Sequence, residues 1–467
     1  MTTESQLQWG GRFATAPDPA LIAFGSSLND DLALAPFDVQ CSHGHVDALH
    51  GGGLLSAPDA QSLHHALDVI AMEIAEGRFT AFAQAGAYED IHGAIDARVR
   101  ELVPGAAGEL LHAGRSRNDQ VATTLILYAR ERARRGLELC LAIANKLEER
   151  AEAALATRAL IAATTHWQPA QPVLLAFWLD ACAQPFVRAA ERFRAVEADA
   201  RLACPLGSGA VAGSSLPLDR DAAARTLGFH ASSRNAMDSI GSRDVALDLL
   251  HACVRAVVAA SRPSEEFVQW TTPAYGYARL GDAASTGSSL MPQKRNPDPF
   301  ELVRAAAGRV TGAYSGALAT ITGIGLSYHR DLQETKSLII RGTEHSLAAL
   351  DAFARAFDHL VFDEAAMTAR AGDGYTVATD LADALILKGR TARAAHRLIG
   401  ERVAAAEAAG RALDTSDAEA LGVPLSAIGP RGSVEGKRTA GSTSPEAVEF
   451  SIQITTAEIS ALMRAHL

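Results

Sequence analysis

Residues 119–156 read DQVATTLILYARERARRGLELCLAIANKLEERAEAALA. Val121, Leu125 and Tyr128 recur at helical spacing, and Leu137, Cys140, Leu141, Ala144 and Leu147 continue one apolar face. Only Gly136 interrupts the pattern. The stretch predicts one helix several times longer than the ~11–12-residue average. Similar patterns cover Val173–Leu202, with Pro185 as an expected kink, and Ala246–Trp270, with a break or kink expected at Pro263. Two more span Phe300–Ile321 and Ser337–Phe362, and strand signals are weak and short. Five long helices predict a mainly α fold with an elongated central bundle.

The flanks are different. Residues 1–112 show shorter helical patterns and more glycine, and from 365 onward the patterns are again short. A three-domain protomer follows: an N-terminal helical domain at 1–112, a central long-helix bundle at 113–364 and a C-terminal helical domain at 365–467. The Ala/Leu-rich bundle faces suggest association into a homo-oligomer.

The 467 residues are 48% hydrophobic and 21% charged, a globular balance. A net charge of −11 argues against a nucleic-acid surface. The five cysteines are scattered and lack CxxC spacing, which suits a reducing compartment. No apolar run is long enough for a membrane span, so a cytoplasmic location is expected. No zinc, EF-hand, P-loop, dinucleotide or GxSxG motif is present, and no metal is expected.

Polar residues concentrate where the long helices meet their connections. HAGRSRNDQVAT at 112–123 places Arg115, Ser116 and Asn118 at the start of the longest helix. Arginine forks at a helix N-terminus make a carboxylate site, although the same residues can be a solvated cap. TTHWQPAQP at 164–172 puts Thr165 and His166 ahead of the next helix, and SYHRDLQETK at 327–336 carries Tyr328, Arg330 and Gln333. Each has a bland reading as well, a structural histidine or an ordinary polar connection. His92 in YEDIH and Ser27 in FGSSLNDD are further candidates. GSSLMPQKRNP at 287–297 holds two serines, a lysine, an arginine and an asparagine between a glycine and two prolines. It reads as a mobile polar loop outside regular structure, feeding a helix.

That loop resembles the signature of the fumarase/aspartase superfamily, which reads GSSxMPxKxNP. GRSRNDQ narrows the resemblance to the argininosuccinate lyase family. WGGRF at 9–13, EDIH at 89–92, PLGSGAVAGSSLPLDR at 205–220, MDSIGSRD at 237–244 and ATDLAD at 378–383 extend it almost end to end. The resemblance implies a fumarase/aspartase-like protomer in a homotetramer, with each active site built from three chains. It implies reversible cleavage of argininosuccinate to arginine and fumarate, in arginine biosynthesis, without a cofactor. By resemblance Ser288 is the base, Lys294 and Asn296 hold the substrate carboxylate, and His166 pairs with Glu301. Ser27, His92, Arg115, Ser116, Asn118, Thr165, Tyr328, Arg330 and Gln333 are then substrate contacts.

The chain departs from the family pattern at Ala113, Thr164, Trp167, Pro169, Pro263, Arg295, His329 and Thr335. None removes a residue of the elimination machinery. The changes near Trp167 and His329 leave open a related lyase that releases fumarate from a different N-substituted aspartate.

Overall fold

The structure, a computed structural model, describes residues 18–86, 88–424 and 428–466, the last without its side chain. The WGGRF motif lies outside the described residues. The fold is mainly helical. We number the elements that position the site: α1 (Ala35–Gly51), α2 (Ile91–Leu102), α3 (Arg117–Thr157), β1 (Leu160–Thr165), β2 (Gln168–Leu174), α4 (Leu175–Asp199), α5 (Asp244–Trp270), β3 (Ala278–Leu280), α6 (Asp298–Ile321), α7 (Leu332–Asp358), β4 (Leu360–Phe362) and α8 (Pro445–His466).

The 41-residue α3 runs without a break through Gly136, a length of about 60 Å at 1.5 Å per residue. Gly136 is a contact point: a Cβ there would lie 2.6 Å from the Phe193 ring. Likewise α4 continues through Pro185 and α5 through Pro263. Each proline removes a single backbone donor, and the rest of each apolar face stays packed. Beside Pro263, Ser264 Oγ donates to the Ala260 carbonyl at 2.7 Å.

Three expectations need correction. Residues 164–172 do not run directly into a helix: β1 and β2 form an antiparallel hairpin, and α4 begins only at Leu175. Residues 360–362 are not helical, since β4 pairs antiparallel with β3. The C-terminal region is not made of short helices alone, for α8 has 22 residues.

Cα packing divides the chain into two compact units. Of the described residues, the first takes those up to 137, 192–255 and 307–347; the second takes 138–191, 256–306 and those from 348 on. The five long helices supply residues to both. The first unit has a core of Cys41, Leu127, Leu206, Leu227 and Phe229. The second is organised around Phe267, whose ring meets Trp178, Trp270, Phe300, Phe353, Phe357 and Phe362. A separate cluster of Leu381, Leu385, Ile399 and Leu413 fills the C-terminal region of that unit.

Candidate active site

The predicted residues fall into two sets, one in each unit. In the first unit, the opening turn of α3 ties down the loop at 205–214. Asp119 accepts the Ser116 N–H at 2.9 Å on one oxygen, and those of Gly207 and Gly209 at 2.9 and 2.8 Å on the other. Burial raises the Asp119 pKa to about 6, against the pull of these donors. Asn118 Nδ2 donates to the Ala210 carbonyl at 2.9 Å. Gly209 has φ of 62°, and a Cβ on it would meet the Gly213 carbonyl oxygen at 2.7 Å, so only glycine fits.

Arg115 is buried, donating from Nη1 to Ser42 Oγ at 3.0 Å, while its Nε has no partner among the described residues. His92 is fully buried with Nδ1 2.7 Å from Asp38 Oδ1, the oxygen that also accepts from Gln120 at 2.8 Å and Thr124 at 3.2 Å. Burial alone would raise the Asp38 pKa. His92, Arg115 and Arg117 together pull it well below the usual carboxylate range.

Ser27 sits against a buried ion pair that the sequence reading missed. Its Oγ donates to Asp31 Oδ2 at 2.6 Å and accepts from Lys336 Nζ at 3.1 Å. Lys336 lies 2.7 and 2.8 Å from the two Asp31 oxygens. Neither residue stands out in the sequence, because Asp31 looks like one of a run of helix-start acids and Lys336 like a surface lysine. Nearby, the Gly25 carbonyl accepts from Arg330 at 2.6 Å and Gln333 at 3.0 Å, and Arg330 also meets Glu89 at 2.5 Å.

Arg243 was missed as well. It is buried, and Nη1 donates to the Ser242 carbonyl at 2.7 Å, while Nε and Nη2 have no partner among the described residues. Burial lowers its pKa to about 10, and the neighbouring half-buried Tyr328 opposes that shift. A buried guanidinium with free donors is suited to an anion. The signal available was its place in MDSIGSRD, directly before α5.

In the second unit, Thr165 and His166 lie at the tip of the β1–β2 hairpin, both exposed. Thr165 pairs with Gln168, leaving His166 and Trp167 as a two-residue turn with φ of 56° and 60°. Positive φ at both centres is what a type I′ turn requires, and Asn-Gly is its preferred occupant. A histidine and a tryptophan there are strained, a feature that clusters at functional sites.

The 287–297 loop is closed at its neck. Thr286 and Asn296 exchange backbone hydrogen bonds at 3.2 and 2.9 Å, and Thr286 Oγ1 donates to Asp298 at 2.6 Å. Within it, Ser288 Oγ accepts the backbone N–H groups of Met291 at 3.1 Å and Leu290 at 3.3 Å. Asn296 Nδ2 donates to Gly287 O and Thr286 Oγ1, both at 3.3 Å. The Lys294 side chain is exposed, and Arg295 pairs with Asp282. Glu301 is exposed in the first turn of α6, and no hydrogen bond joins it to His166 among the described residues. A cavity of about 590 Å³ around Gly372–Tyr375 and Arg411 holds none of the predicted residues. Among the described residues no cluster of His, Cys, Asp and Glu could hold a metal, and no helix is long and apolar enough to cross a membrane.

Long helices carrying this serine loop define a lyase of the fumarase type. Residues 11–312 match the family described as lyase, and residues 375–429 match the argininosuccinate lyase C-terminal family. The chain is 42% identical to an argininosuccinate lyase of Nocardia farcinica, over 92% of this chain and 89% of that protein. It is 39% identical to one of Mycolicibacterium smegmatis, over 96% of each. Among solved structures it is similar to EDDS lyase in complex with formate, with a TM-score of 0.79 and 24% identity, over 97% of this chain and 92% of that one. The class II fumarase of Schistosoma mansoni gives a TM-score of 0.70 at 16% identity, over 88% and 93%. The chain belongs to the argininosuccinate lyase family.

Proposed function

We propose that this protein catalyses the reversible elimination of argininosuccinate to arginine and fumarate. Ser288 carries the reading. Two backbone N–H groups converge on its Oγ, the arrangement that stabilises a developing alkoxide and lets a serine hydroxyl act as a base. Ser288 removes a proton from the carbon beside a succinyl carboxylate. The electron pair left there is held as an aci-carboxylate by Lys294 and Asn296. It then forms the fumarate double bond as the C–N bond breaks, and the departing guanidino nitrogen takes a proton. His166, paired with Glu301, delivers that proton.

Asp31 and Lys336, with Ser27, Tyr328 and Gln333, hold the arginine end, and the free donors of Arg243 and Arg115 bind carboxylate. Ser116, Asn118, Thr165, His92 and Arg330 complete the binding set. The protomer has three domains, at 1–112, 113–364 and 365–467. It works in the cytoplasm as a homotetramer, with each active site drawing residues from three chains, which is how His166 and Glu301 meet. No cofactor is required.

Purified protein mixed with argininosuccinate tests the reading directly, because fumarate absorbs in the ultraviolet. Release of fumarate with equimolar arginine is expected. Inactivity on argininosuccinate, with addition of another amine to fumarate, would move the assignment to a different N-substituted aspartate.

A further inference from the structure

A second pocket, of about 240 Å³, opens in the second unit along the β1–β2 hairpin. It holds none of the predicted site residues. Its walls are aromatic: Trp178 and Trp270 have ring centroids 4.5 Å apart, Trp270 meets Tyr277 edge-on at 6.1 Å, and Tyr275 meets Tyr277 at 5.6 Å. Trp167, at the turn of the hairpin, closes one side and is 53% exposed. Trp270 and Tyr277 are buried, Trp178 and Tyr275 are half-buried and Trp167 is exposed, so three of the five rings are not enclosed by the core.

One acid side chain, Glu266, stands among these rings. Glu266 accepts the Trp178 indole N–H at 3.0 Å, and no ion pair holds it among the described residues. Burial raises its pKa, with the indole donor and the Arg262 charge opposing the shift. The other two charges in the lining cancel: Arg370 lies 3.3 Å from Asp373. Among the lining side chains, Glu266 is therefore the one charge with no opposite charge in the lining. The chain also supplies its own precedent for what such a wall accepts. The Arg370 guanidinium sits over the Tyr277 ring at 5.4 Å, while donating to the carbonyls of Ala274 and Tyr275 at 3.0 Å each.

We propose that this pocket binds a small organic monocation with a guanidinium or methylated-ammonium head, held among the rings of Trp167, Trp178 and Tyr275 and neutralised by Glu266. Cation–π attraction over several rings plus one poorly solvated carboxylate favours such a head over a neutral one. The volume lies below the ~300–1,000 Å³ of drug-sized sites, so the ligand is of amino-acid size. The same hairpin strands that line the pocket carry Thr165 and His166 at their tip. Occupancy is thus expected to alter turnover too, a consequence that rests on the proposed function, whereas binding does not.

The chain has four tryptophans, and three of them line this pocket, so intrinsic fluorescence reports on it. Methylguanidinium and tetramethylammonium would each be titrated into the full-length protein, with methylurea and tert-butanol as neutral counterparts of similar shape. A saturable fluorescence change with at least one cation, and none with its neutral counterpart, is expected. Glu266→Gln keeps an acceptor for the Trp178 N–H and should weaken cation binding by about tenfold or more, with the melting temperature retained. Tyr275→Ala should weaken it without touching the charge. The proposal is overturned if neither cation gives a saturable change, if methylurea binds as well as methylguanidinium, or if the folded Glu266→Gln variant binds like the parent. A loss of fumarate release with cation binding intact would count against the proposed function alone.

Discussion

Lys336 and Asp31 form an ion pair at 2.7 Å with side chains only 5% and 0% exposed. Ser27 joins it from both sides, donating to Asp31 Oδ2 and accepting from Lys336, so three polar groups removed from water hold one another. Removing one charge strands the other. Lys336→Met should cost about 3–5 kcal/mol in urea unfolding. Adding Asp31→Leu should recover much of that loss without recovering turnover, which separates the stability role of the pair from its proposed role in binding.

Among the described residues, the Ser288 Oγ receives two N–H groups of its own loop and bonds to no other element. Ser288→Ala should reduce kcat by orders of magnitude with little change in melting temperature. Near-normal turnover in the folded variant would remove Ser288 as the base.

His166→Asn should keep the hairpin, because asparagine tolerates the left-handed region better than histidine does. Turnover should fall by about 10²–10⁴-fold, the range for losing a general acid. A melt lower than that of the parent by several degrees would show that the imidazole holds structure instead.

Glu148 and Asp180 supply a pH dependence of their own. Both are buried, and Asp180 already accepts from Gln184, Ser451 and Thr455 at 2.8–2.9 Å. Burial and the Asp180 charge, with Glu152 adding to them, raise the Glu148 pKa to about 9. Its folded pKa lies above the unfolded one, so the folded state binds the extra proton. The associated stability is complete below the unfolded carboxylate pKa and is lost as pH rises through about 9. Glu148→Gln should flatten the fall in melting temperature between mildly acidic and alkaline buffers. Parallel curves for the two proteins would refute the assignment.

Gly136→Ala sets two effects against each other. Alanine favours a helix over glycine by about 1 kcal/mol. The new Cβ would lie 2.6 Å from the fully buried Phe193 ring, and overpacking of this kind costs about 1–3 kcal/mol. The clash should win, and the urea midpoint should drop.

The long helices were legible because their apolar spacing repeats over many turns, enough to outvote Gly136, Pro185 and Pro263. The β1–β2 hairpin was not legible. Its turn is His-Trp, where the usual sequence signal is Asn-Gly, and Gln168-Pro169 and Gln171-Pro172 in β2 look like breakers. Motif residues were found where several polar side chains stand together, as in GRSRNDQ and the serine loop. Asp31, Lys336 and Arg243 escaped because a single charge acquires meaning only through burial, and burial depends on residues hundreds of positions away.

The His166–Trp167 turn has a consequence for anyone redesigning this protein. Every general rule for hairpins recommends Asn-Gly at those two positions, and a selection for heat resistance would reward it. Such a selection would converge on robust, well-expressed molecules that have discarded the imidazole. Enrichment of Asn-Gly under thermal selection, and its depletion under selection for growth without arginine, would show where the demands of folding and of chemistry part company in this chain.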